Sequence, residues 1–135
     1  MRHMSDEEFE AVVQQALDEL PERFRRALDN VGVCVQDEPD DDQLSAADEG
    51  YGTVSDGGRG ELLGLYEGLP LTERGDDYGA FGMDVPDVVT VFQGPHERCF
   101  STREEMVAEV KKTVIHEIGH YFGLDEDQLD RMGYR

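Results

Sequence analysis

The chain has 135 residues, enough for one domain with one hydrophobic core but too few for that core plus an elaborate second lobe. Its 32 acidic and 12 basic residues leave a formal net charge of -20, a field that repels phosphate backbones and argues against a nucleic-acid partner. No apolar run approaches the roughly 18 residues of a membrane span, and the opening residues pass straight into Asp6, Glu7 and Glu8 without an apolar signal core, so a cytoplasmic protein with no membrane partner is expected.

In chain order, Ser5 and Glu8 have capping-box spacing, and Phe9, Val12, Val13, Ala16, Leu17 and Leu20 follow at helical intervals. Pro21 suits the first turn of a second, short helix carrying Phe24 and Leu28 and closing near Asn30. Val31, Val33 and Val35 then alternate with Gly32, Cys34 and Gln36, the pattern of a half-buried strand. Residues 37–61 are acidic, glycine-rich and poor in large apolar side chains, which predicts a long mobile loop.

Leu62 to Glu67 is a short strand candidate ending at Gly68, and residues 70–86 are again turn-rich. Val88 to Phe92 is compact and β-branched, the strongest strand signal in the chain. Ser101 and Glu104 repeat the capping-box spacing and open a long periodic segment running to about Phe122, with Gly123 placed to end it. Leu129 and Met132 are spaced for one face of a short terminal helix, with Met132 read as core. Helices grouped at the two ends of a few strands predict a single α+β domain over residues 1–135. Cys34 and Cys99 are expected as free thiols, and the H-x-x-C spacing of His96 and Cys99 is too weak to support a second metal site.

The chemistry lies in His116-Glu117-Ile118-Gly119-His120, an H-E-x-x-H motif. Residues four apart on a helix share one face, so two imidazoles can converge on a single zinc ion. The Glu beside the first His sits on the flank of that face, where it can act as general base without ligating the metal. On a wheel of about 100° per residue, His120 falls about 40° from His116, while Val107, Val110, Val114, Ile118 and Tyr121 cluster on the opposite side. The histidines therefore lie away from the core stripe.

A catalytic zinc takes three protein ligands and keeps one position for water. If the chain turns at Gly123, position 126 comes back beneath the metal, as in the H-E-x-x-H-x-x-G-x-x-H arrangement. That position is Glu126; Asp125, Asp127 and Asp130 remain open as alternatives.

Together with the N-terminal helix pair, the Leu62–Gly68 segment and the Val88–Gly94 segment, the stretch Thr113 to Tyr134 resembles the small bacterial zincin-like metallopeptidases, minimal zincins with a matrix-metalloproteinase-like domain. The resemblance covers most of the chain outside residues 37–61. It implies a compact α+β fold, with a small mixed sheet packed against the H-E-x-x-H helix and the helix pair. It implies His116 and His120 as metal ligands, Glu117 as base and an acidic third ligand after Gly123. The family more usually carries Asp where Glu126 stands.

Two functions follow as expectations. One is a zinc-dependent peptidase in which an edge strand, with Val88 to Phe92 the candidate, holds an extended peptide or protein substrate. The acidic surface would favour basic or neutral peptides. The other is a non-catalytic or weakly active metal-stabilised module that binds a peptide or protein, because the chain is short and lacks a clear oxyanion group. Tyr121, Tyr134 and His96 are the nearest candidates for that role, with His96 placed on a Gly-Pro loop.

Overall fold

The computed structural model describes residues 4–48, 53–54, 61–68, 87–124 and 126–131. Among them the elements run α1 (Asp6–Asp18), α2 (Glu22–Ala27), β1 (Val31–Gln36), α3 (Asp41–Asp48), β2 (Thr53–Val54), β3 (Leu62–Glu67), β4 (Asp87–Phe92), α4 (Gln93–Cys99), α5 (Arg103–Tyr121) and α6 (Glu126–Arg131). Met132 and Tyr134 lie outside the described residues.

Ser5 caps α1 with the full box: its hydroxyl accepts from the Glu8 N–H, and the Glu8 carboxylate accepts from the Ser5 N–H. At α5 the cap falls one residue later than the spacing predicts. Thr102, not Ser101, accepts from the N–H of Glu105 at 3.1 Å. Leu62 to Glu67 and Val88 to Phe92 are strands, the latter extended by Asp87.

The four strands form one mixed sheet in the order β1-β4-β3-β2. β1 runs parallel to β4, with Val31 opposite Asp87 and Gln36 opposite Phe92, while β3 is antiparallel to both β4 and β2. This corrects one expectation. The Val88–Phe92 strand is paired on both sides and cannot offer its main chain to an incoming peptide; among the described residues the outer strands of the sheet are β1 and β2.

One face of the sheet presents Val31, Tyr66, Val89 and Val91 to α1 and α5. From α5, Met106, Val107, Val110, Val114, Ile115, Ile118 and Tyr121 are all buried there. Each such side chain contributes roughly 1.5–3 kcal/mol relative to exposure, so α5 is held firmly independent of what surrounds its histidines. Leu62, Leu65 and Phe92 form a second, smaller cluster with Ala46 and Ala47 of α3.

Within the acidic segment the structure places a helix that its composition does not predict. Residues 41–48 are helical, and the start of α3 is a reciprocal cap: the Gln43 N–H donates to Asp40 Oδ1 at 2.8 Å, and the Asp40 N–H donates to Gln43 Oε1 at 2.9 Å. Arg98, in the last turn of α4, ties the two ends of the segment together. Its guanidinium binds both oxygens of Glu38, at 2.8 and 2.7 Å, and both oxygens of Glu61. The hydrogen bonds from Arg98 hold the Glu38 carboxyl below the usual carboxylate range.

His96 also departs from its expected place. It belongs to helix α4, not a loop, because Pro95 falls in the first turn, where no intrahelical N–H is lost. The ring is fully buried between Phe9 and Phe100. Its Nδ1–H donates to the Phe92 carbonyl at 2.8 Å, and Nε2 lies 3.5 Å from the Thr113 hydroxyl. Burial pushes its pKa down to about 4. In the unfolded chain the imidazole titrates near its ordinary 6.5, so the unfolded state takes up the proton first as pH falls. Stability is therefore lost between about pH 6.5 and 4 and is flat with respect to this group outside that window. At about pH 5 the loss is about 2 kcal/mol relative to neutrality. Urea unfolding of the wild type and His96→Gln at both pH values should show this extra loss in the wild type alone. Equal losses in both would refute it.

Candidate metal centre

α5 brings the motif residues to the end of the helix that faces β3, and a glycine in that strand allows the approach. Gly64 sits inside an otherwise apolar strand, and a Cβ there would lie 2.3 Å from Thr113 Cγ2 and 3.2 Å from the Thr90 carbonyl oxygen. The strand therefore meets the side chains of α5 at a distance that only glycine permits. Thr113 and Glu117, one turn apart on α5, both look onto that glycine.

Glu117 is fully buried. Its Oε1 accepts the main-chain N–H of Tyr66 in β3 at 2.8 Å, and its Oε2 lies 3.0 Å from His116 Nδ1. A carboxylate placed this way favours the tautomer with the proton on Nδ1, which leaves the Nε2 lone pair of His116 for a metal. The His116 and His120 rings stand 4.9 Å apart, centroid to centroid, and 85° to one another. His116 is 14% exposed, His120 is half-buried, and the His120 Nε2 atom is shielded from solvent.

One ligand atom from each of His116, Glu117 and His120 lies within 4.8 Å of the others. Two nitrogens and a carboxylate so grouped match the donor preferences of zinc, so the residues present fit the metal that the motif implies. Glu117 Oε1 is engaged by the Tyr66 N–H, and Oε2 is turned toward His116.

Gly123 ends α5 with φ 76°, and the Gly123 N–H donates to the His120 carbonyl at 3.0 Å while the Leu124 N–H donates to the Gly119 carbonyl at 2.8 Å. These are the two bonds of a Schellman turn. The chain then reverses into α6, which opens at Glu126. Asp127 is exposed. Asp125 and the side chains of Glu126 and Asp130 lie outside the described residues.

His96 and Cys99 do not join this cluster, and burial removes His96 as an oxyanion donor. Tyr121 is buried, its ring 6.2 Å from that of Tyr66. Cys34 and Cys99 are free thiols. The functional group that sequence reasoning missed is the Tyr66 N–H. A main-chain donor leaves no mark in a motif, though a glycine two residues earlier in an apolar strand signals a close backbone approach.

Among the described residues no helix is long and apolar enough to cross a membrane. No curated protein matches the chain. Among solved structures it is similar to a conserved hypothetical protein from Thermo thermophilus, at 24% identity and a TM-score of 0.52, over 88% of this chain and 94% of that one. This likeness establishes the shared fold. The family model described as zincin-like metallopeptidase matches residues 28–134, which takes in the whole sheet, the H-E-x-x-H helix and α6. The chain belongs to the zincin-like metallopeptidase family.

Proposed function

We propose that the protein is a zinc-dependent peptidase in which His116, His120 and Glu126 hold the metal and Glu117 is the general base. The observation that carries this reading is the buried Glu117 carboxylate, fixed by the Tyr66 N–H at 2.8 Å with its second oxygen 3.0 Å from His116 Nδ1. When bound, zinc supplies a Lewis acid that activates water and polarises a scissile carbonyl. Glu117 takes the proton from the attacking water and delivers it to the departing amine. Its burial and its fixed hydrogen bond keep the accepting oxygen oriented without reorganisation.

For the third ligand, Glu126 is supported by the reversal at Gly123 and by the exposure of Asp127. We assign the substrate main chain to β2, an outer strand of the sheet among the described residues, which lies next to β3 and also contacts α5. With a net charge of -20 the surface favours basic or neutral peptides.

Elemental analysis of the wild type and Glu126→Ala, purified with zinc and dialysed against a weak chelator, tests the ligand set. About one zinc per chain is expected in the wild type, and a clear deficit in the variant. Equal zinc in both removes Glu126 from the site. A metal with four protein ligands and no exchangeable position would make the protein a binding module instead.

A further inference from the structure

We propose that Leu129 is the positioning residue for the third metal ligand: seated in the notch that Gly119 opens in α5, it aims the start of α6 at the histidine pair. The inference rests on the reading that Glu126 completes the ligand set.

A glycine inside a helix weakens it relative to alanine, so Gly119 needs a reason to stand between Glu117 and His120. The structure supplies one. A Cβ on Gly119 would lie 2.9 and 3.0 Å from the two δ carbons of Leu129 and 3.4 Å from its Cγ. Leu129 is only 1% exposed and fills the space where that methyl would stand. The same Gly119 also accepts the Leu124 N–H that closes the turn, so one residue both reverses the chain and receives it on return.

α6 has six residues, too few to be stable or to hold a direction by itself. Asp127, Gln128 and Arg131 are exposed. Leu129 is the buried anchor among the side chains of α6 that are described. Position 126 precedes it by three residues, about 300° round the helix and about 4.5 Å along it, which places both positions on one face. A zinc–carboxylate bond tolerates little error around roughly 2.0–2.2 Å. Loosening the anchor should therefore weaken metal binding without removing any ligand.

The test is a double-mutant cycle on zinc affinity, read by competition with a chromophoric chelator and repeated with cobalt(II) to follow its ligand-field bands. Leu129→Ala is expected to weaken zinc binding about 10- to 100-fold, the range seen when outer partners of ligands are lost. Glu126→Ala is expected to weaken it at least as much. In the Glu126→Ala background the leucine substitution should change affinity less than about twofold, because the group it aims is gone. Leu129→Met should restore near wild-type binding. Gly119→Ala, which strengthens α5 while filling the notch, should reproduce the loss and keeps the test open if Leu129→Ala is poorly folded.

Full zinc affinity in Leu129→Ala, alongside a loss in Glu126→Ala, would overturn the inference and leave the ligand reading intact. A leucine effect of the same size with and without Glu126 would also overturn it, since Leu129 would then act through His120. Unchanged affinity in Glu126→Ala would sink the ligand reading itself.

Discussion

Glu117→Gln is expected to lower peptide hydrolysis by about 10²–10⁴-fold at saturating zinc, the usual contribution of a general base. The substitution keeps the shape of a fully buried side chain, so no cavity opens. It does change hydrogen-bond polarity. The Tyr66 N–H needs an acceptor, which directs the amide oxygen of glutamine to the position of Oε1 and turns its NH₂ group toward His116 Nδ1. Two donors cannot face each other, so His116 must move its proton to Nε2 or rotate its ring. A second effect follows, about 10-fold weaker zinc binding, which excess zinc overcomes. Measuring turnover across a zinc titration separates the two effects. Should hydrolysis return to the wild-type rate at high zinc, Glu117 only orients His116 and the proposed base is wrong.

His120→Ala is expected to abolish zinc binding at micromolar metal and, with it, the thermal stabilisation that zinc confers. The wild type should gain about 2.7 kcal/mol of stability at a zinc concentration of about 100 times Kd, with EDTA returning it to the apo value. The variant should unfold at one temperature with or without zinc. The apo protein should lose little, because His120 belongs to the half-buried flank of α5, while Val107, Val110, Val114, Ile118 and Tyr121 anchor the opposite face. That contrast gives the measurement its meaning: a variant folded like the wild type but blind to zinc locates the metal. If zinc raises the melting temperature of His120→Ala as far as that of the wild type, the ion binds elsewhere.

The parts of the molecule legible from sequence are those governed by short-range rules. The stripe of Val107, Val110, Val114, Ile118 and Tyr121 is buried as the helical period predicts. The histidines are correspondingly off the core, and Gly123 adopts the left-handed conformation that ends the helix. Strand identity is equally local, but strand order is not. Nothing near Val88 to Phe92 says that β1 and β3 will flank it, since pairing is decided between residues more than 20 apart.

α3 is hidden for a different reason. Asp40-Asp41-Asp42-Gln43 reads as a charge run, yet Asp followed three residues later by Gln is a capping box, and acidic residues favour a helix N-terminus. His96 is obscured by Gly94 and Pro95, which punctuate loops but also fit a first helical turn. At the site, the candidate ligands His116 and His120 follow from the motif, whereas the Tyr66 donor and the packing of Leu129 on Gly119 depend on elements that meet only after folding.

The Arg98 clamp separates the size of the acidic excursion from the rest of the architecture. One guanidinium holds Glu38 beside Glu61, so the stretch between them begins and ends at one place, with α3 packed on the sheet and β2 part of it in between. Lengthening such a closed excursion costs only about 0.6 kcal/mol per doubling. A longer connection within that stretch is therefore expected to cost little, provided α3 and β2 keep their places against the sheet.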